Sequence, residues 1–427
     1  MILRLFSVSL LLLVAGCTAG PIEQDEPPDN LAETVEDSAE APVVEETEEP
    51  LFPPSAKDAS DAVVSLSVDE CRLPKTIDSG PATGFPRDQE LLPASGELNG
   101  LMVFVEFEDV AYGDDRKAIF DTFVPGFIDF YEANSGGRLS LTVEPMADVV
   151  SIAKASTAYG MDVWAGGDLV QYFFDGIKAA SEEMDISSYD FFIIMPPSDA
   201  EAIAYGPAYP GEDGSQYGLD SDELFFGVAG GAAHFEREDL RWIWLAHEFG
   251  HLLGMTHQYN NREEGIVTPV WDLMDNIYFD TAPGLLGWHR FQLGWFDDAE
   301  VRCFNQETLS SNPEILLSGL ESEDGEAQLA IVRTGETSAL VIEGRLGTPY
   351  NSLPEHREGI VVYEVDTSRD RQFPGHVRML PFDSSDEFRT LRPGPTNDFS
   401  LATEFGTTVE VNERFGDTFL VRLSPSP

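Results

Sequence analysis

The chain has 427 residues, room for two or three domains at about 150 residues each, or for one large domain with appendages. At 42% hydrophobic and 11% aromatic, most of it can bury a core, which excludes a wholly disordered protein. Against 77 Asp and Glu stand only 25 Lys and Arg, a formal charge of −52. Such a surface repels phosphate backbones, so nucleic acid is excluded as a partner.

The first element is an address. Arg4 precedes the apolar run Leu10 to Val14, and the small pair Ala15-Gly16 stands just before Cys17, the pattern of a secretory signal peptide over 1–16. Val-Ala-Gly-Cys resembles the lipobox of bacterial lipoproteins. That resemblance implies cleavage before Cys17 and its acylation, with the membrane as a partner through more than one chain. Thr18 after the cysteine implies the outer membrane or cell surface of a bacterial envelope. A spanning helix is not expected, because the apolar stretch is short.

Residues 17–63 are rich in Glu, Asp, Pro and Ala, and residues 21–50 hold 12 acidic and no basic side chains. The segment cannot bury enough apolar area to offset its ordering entropy and reads as an extended tether. Residues 64–94 are a lead-in or a pro-segment. Strand-like and helix-like segments then alternate: a strand at Leu101 to Phe107, a helix from Lys117 to Asn134 closed by Ser135-Gly136-Gly137, and a strand from Leu139 to Val143. A helix over Leu169 to Met184 and strands over Tyr189 to Met195 and Leu224 to Val228 follow. This order predicts an α+β domain over 95–300, a mixed sheet with flanking helices.

The chemistry lies at His247-Glu-Phe-Gly-His251-Leu-Leu-Gly254-Met-Thr-His257. On a helix beginning near Glu238, four residues bring His247 and His251 to one face a single turn apart, where both can grip one zinc ion. Glu248 lies beside them and can accept a proton as general base. Gly254 is placed to end the helix in a left-handed turn, which brings His257 back as third ligand. Three nitrogens leave one position open, the mark of a catalytic rather than a structural zinc.

This extended pattern is that of metzincin metallopeptidases. The resemblance implies a methionine-containing turn beneath the metal, and Trp271-Asp-Leu-Met274 is suitably spaced. Further pieces are similar to the immune inhibitor A family of secreted peptidases: Leu101 to Asp109, Phe130 to Ser140, Trp288 to Trp295, Val341-Ile-Glu-Gly-Arg and Gly359 to Asp366. The likeness covers residues 95 to 370. That family usually places Asp where this chain has His257. Some metzincins carry a Tyr two residues after the Met; here that position is Asn276, with Tyr278 two further on. The resemblance implies a secreted, membrane-anchored zinc endopeptidase acting on protein or peptide substrates. Alternatives are a catalytically inactive surface binding protein of the same fold and a zinc hydrolase of a non-peptide bond.

His234 and His289 read as packing histidines, with a helper role near the cleft as the alternative. Asp220, Asp222 and Glu223 read as a solvated loop, with Ca2+ as the alternative, since no twelve-residue calcium loop is present. Setting Cys17 aside leaves Cys71 and Cys303, an even pair that predicts a disulfide in an exported protein. The rival reading is a Cys71 thiolate capping the zinc. After residue 300 the pattern turns to short alternating strands at 327–333, 339–343, 359–365, 407–411 and 418–423, so 301–427 is expected to be a β-rich extension.

Overall fold

The computed structural model describes residues 53–76, 84–162, 166–219, 224–236, 238, 241–257, 271–274, 283–322, 326–348, 353, 355–369, 376–380, 390–394 and 399–426. The signal peptide, Cys17, most of the tether, Asp220, Asp222, Glu223, Asn276 and Tyr278 lie outside the described residues. No described helix is long and apolar enough to cross a membrane.

Helix α1 spans Pro54–Asp61. The first sheet begins with β1, Gly96–Phe107, whose residues from Leu101 to Val105 are all buried. It is a central strand covered on both faces, which is why it reads as an unbroken apolar run. Helix α2, Arg116–Ser135, starts where the Asp115 carboxylate accepts the Lys117 and Ala118 N–H groups, and it stops at Gly136, φ 59°. Then come β2 (Leu139–Pro145), β3 (Val150–Ile152), α3 (Leu169–Glu183) and β4 (Phe191–Met195). Strands β5 (Ala208–Asp213) and β6 (Leu224–Ala229) complete the sheet, in the order β2-β1-β4-β6-β5 with β3 also on β1. All pairs are parallel except β5 with β6.

The pleat sorts side chains onto two faces. Met102, Phe104, Phe191, Ile193 and Met195 join one core, and Val103, Val105, Phe192 and Ile194 join the other. On the first face lies α4, Arg241–Leu252, packed on α2 through Phe249, whose ring lies 5.0 Å from those of Phe127 and Tyr131. The Tyr131 hydroxyl donates to the Ala246 carbonyl at 2.7 Å, so α4 is held in register by both packing and a hydrogen bond. On the second face lies α3, where Gly176 lets the helix approach Ile194.

Helix α5, Gly287–Gln292, leads into the second half. Its strands are β7 (Val301–Asn305), β8 (Glu314–Ser318), β9 (Leu329–Arg333), β10 (Ser338–Arg345) and β11 (Gly359–Asp366). Strands β12 (Val377–Met379), β13 (Ser400–Ala402), β14 (Thr407–Phe415) and β15 (Thr418–Pro425) follow. They form a five-stranded sheet, β12-β11-β10-β9-β7, and a four-stranded sheet, β13-β14-β15-β8. Alternation along β10 again divides the core. Leu340 and Ile342 meet the four-stranded sheet, while Ala339 and Val341 face Trp271, Trp288 and the Cys71–Cys303 pair. The chain is thus α+β, with mixed sheets and few helices.

Cys71 and Cys303 are joined across 232 residues of sequence. Leu66 N–H also donates to the Cys303 carbonyl at 2.8 Å, so the lead-in is stitched to β7. Replacing both cysteines with serine releases a very long loop in the unfolded chain and is expected to lower unfolding free energy by about 2–5 kcal/mol. Urea titration of the oxidised wild type against the double variant reads this directly, and coincident midpoints would contradict it.

Candidate metal centre

Helix α4 carries His247 and His251 one turn apart, and its ending carries the third imidazole. Gly254 adopts φ +90°. Its N–H donates to the His251 carbonyl at 3.0 Å, and the Met255 N–H reaches back to Gly250 at 3.0 Å. This pair of bonds around a left-handed residue is the Schellman arrangement, which only glycine enters cheaply. The chain reverses there and returns His257. The lead-in braces the same helix end: Leu92 N–H donates to the Leu252 carbonyl at 3.2 Å, and Arg87 Nε to that of Leu253 at 2.9 Å.

The three imidazoles converge. His257 Nε2 lies 3.0 Å from His251 Nε2 and 3.2 Å from His247 Nε2, and one ligand atom from each residue falls within 4.8 Å of the others. Nitrogens bound to a tetrahedral zinc at 2.0–2.1 Å would stand about 3.3 Å apart, so the pocket has the right size. Protonation agrees with that. His247 Nδ1 donates to the Leu273 carbonyl and His251 Nδ1 to the Met255 carbonyl, each at 2.8 Å. Both rings therefore turn unprotonated Nε2 lone pairs inward, where a shared cation relieves their repulsion. A proton is a poor substitute, because burial and then the neighbouring His251 and His257 hold His247 well below the usual imidazole range. Three imidazoles so placed are a donor set that could hold a metal ion. His247 is buried, His251 half-buried and His257 exposed, so the centre opens toward solvent on one side.

Glu248 leans the other way. Its Oε2 accepts the Ala208 N–H from the first residue of β5 at 3.0 Å. Burial pushes its carboxyl up to about 8, against the opposing pull of the Ala208 amide and of Trp244 one turn earlier. Under the helix lies Met274, fully buried; a Cβ on Gly250 would come within 2.7 Å of its sulfur. The glycine between the two helical histidines is therefore what lets methionine pack there.

The remaining sequence candidates lie apart from the three imidazoles. His234 stacks on Trp244 at 3.9 Å, and its Nδ1 accepts the Gly231 N–H, so it caps and packs. His289 is buried with Nδ1 2.9 Å from Asp272 Oδ2. Cys71 sits in the disulfide with Cys303, away from the thiolate-cap reading. Two contributors escaped the sequence reading. One is the Ala208 amide, because Ala208-Tyr-Pro-Gly-Glu-Asp carries turn residues that hide a strand. The other is Asp272, whose only sequence signal is a lone charge inside an apolar turn.

Alanine at position 254 would place a Cβ 2.4 Å from Leu91 Cδ1 in a backbone conformation L-residues avoid. Gly254→Ala is expected to cost about 1–3 kcal/mol and to weaken metal binding by displacing His257. Chemical denaturation and chelator competition measure the two effects, and a variant matching wild type in both would refute the role given to this turn.

No family model matches the chain, and no curated protein matches it. Among solved structures it is similar to metalloproteinase-II from Bacteroides fragilis, at 16% identity with a TM-score of 0.28. That match covers 51% of this chain and 59% of the neighbour's length.

Proposed function

We propose that the protein is a zinc-dependent endopeptidase. The observation that carries this reading is the convergence of three imidazole Nε2 atoms, two of them from the helix that also carries Glu248. His247, His251 and His257 would hold the ion. Zinc held there would lower the pKa of a water toward about 7 and polarise a carbonyl oxygen.

The chain's own residues supply the rest. A cation held by the imidazoles would favour the ionised form of Glu248, which takes a proton from the attacking water and returns it to the leaving amine, and the Ala208 N–H on Oε2 holds the carboxylate in orientation for both transfers. Strand β5 is an edge of its sheet, and the Ala208 N–H points away from β6 toward Glu248. A peptide lying along that edge passes its scissile carbonyl by the carboxylate. Pro210 has no N–H and that of Ala208 is engaged, so this edge offers mainly carbonyl oxygens and the substrate must donate.

The finer reading assigns Met274 to a Met-turn beneath the metal, residues 95–300 to the catalytic domain and 301–427 to a β-rich extension. A signal peptide ending before Cys17 would export the chain, and acylation of that cysteine would anchor it to a bacterial envelope through the acidic segment that follows. Cys17→Ser is expected to move the protein from the membrane fraction to the soluble one; unchanged partition argues against the anchor.

Casein cleavage by wild type and Glu248→Ala, with metal content measured for both, tests the enzyme. The variant is expected to keep its metal and lose a factor on the order of 10² or more in turnover. Equal rates would remove Glu248 from the mechanism. A metal-loaded wild type inert on every peptide would turn the reading to a non-peptide hydrolase or a binding protein.

A further inference from the structure

The two helical imidazoles are oriented by carbonyls of different origin. Met255, which orients His251, belongs to the cap of α4 itself. Leu273, which orients His247, lies 26 residues further on, in the turn Trp271 to Met274. Something outside the helix must therefore hold that carbonyl in place.

The holder is Asp272. Its carboxylate has no solvent exposure and accepts three donors: Met274 N–H at 2.7 Å, Leu286 N–H at 2.8 Å and His289 Nδ1 at 2.9 Å. Leu273 N–H donates to Gly284 at 2.9 Å. One side chain thus locks the turn to the segment leading into α5, on either side of the residue whose carbonyl meets His247.

That segment is gripped in turn by the five-stranded sheet. Glu343 Oε2 on β10 accepts the Gly287 N–H at 2.8 Å, and the Tyr363 hydroxyl on β11 accepts the Trp288 N–H at 3.0 Å while donating to Glu343 at 2.6 Å. Arg345 donates to the Leu285 carbonyl at 3.1 Å and pairs with Glu343 at 3.0 Å. Glu343 and Arg345 are both fully buried. A buried ion pair is weak evidence for stability, since apolar replacements often do as well, so a positional task is the better account of one placed here.

We propose that Asp272 is a positioning residue for the metal centre, acting on His247 through the Leu273 carbonyl, and that Glu343, Arg345 and Tyr363 act through the same turn. The second half of the chain is then part of the scaffold that sets metal affinity. When the turn is loosened, the His247 ring can rotate or carry its proton on Nε2, and one inward lone pair is lost. The inference rests on the three imidazoles being a metal centre, not on peptidase activity.

The test is Zn2+ affinity of the full chain, by competition with a chromophoric chelator, and the visible spectrum of the Co2+ form. Asp272→Asn is expected to weaken affinity roughly 10- to 100-fold and to change the Co2+ spectrum, and Tyr363→Phe to weaken it by a smaller factor, roughly three- to tenfold. The control is Glu364→Gln. This carboxylate is equally buried, next to Tyr363 on β11, but it is engaged with Arg369 and Arg378 instead of the 284–288 segment. It is expected to lose stability and keep affinity. Wild-type affinity in folded Asp272→Asn overturns the proposal, as does an equal loss in Glu364→Gln. If Asp272→Asn does not fold, Tyr363→Phe decides, and unchanged affinity there overturns it. A wild type that binds no metal removes the metal centre and this inference together, whereas a wild type that binds metal but cleaves nothing leaves the inference standing.

Discussion

Three nitrogen lone pairs aimed at one point repel one another unless something positive sits between them. Several elements of the first half of this molecule enforce that arrangement. Packing of α4 on α2 fixes where two rings start, the left-handed turn at Gly254 fixes where the third returns, and two backbone carbonyls fix which way the helical rings face. No single one of these is strong. Together they leave the rings little freedom to relax away from each other, which is the condition for tight and rapid uptake of a cation.

The same logic explains why polar groups are buried where the two halves of the chain meet. Asp272, Asn134, Arg290, Glu343 and Arg345 are all nearly or fully inaccessible. Asn134 Oδ1 accepts from Leu285 N–H and from Arg290, which also donates to the Leu320 carbonyl. An apolar filling would seal this junction equally well but would not dictate the path of 284–288. Directional bonds dictate it, and the same segment holds the turn that carries the Leu273 carbonyl.

Much of this was legible from residue order, and the reasons are physical. Histidines four apart on an amphipathic helix, a carboxylate beside one of them and a glycine three residues past the second are local patterns, so the candidate residues could be named from spacing alone. The paired strands of the second half were legible from alternation, although β7, β8, β12 and β13 were not picked out. Strand β5 was hidden because Pro210 and Gly211 look like a turn. The fold tolerates them because proline sits on an edge and Gly211, φ +96°, lies at the register shift between Pro210 and Glu212. What could not be read was anything that depends on tertiary neighbours: the amide on Glu248, and the partners that make Asp272 more than a stray charge.

The bonds from residues 87 to 92 to the end of α4 bear on maturation. Proteolytic trimming beyond Leu92 would strip the carbonyls of Leu252 and Leu253 of the donors they now have, at the point where the chain bends toward His257. Excision of this stretch would therefore remove two of the bonds that hold the end of α4. A nick between Cys71 and Arg87 would leave the severed piece tethered covalently through Cys71. The lead-in is thus bound to the end of α4 by hydrogen bonds and to β7 by the disulfide, two anchors on separate parts of the fold.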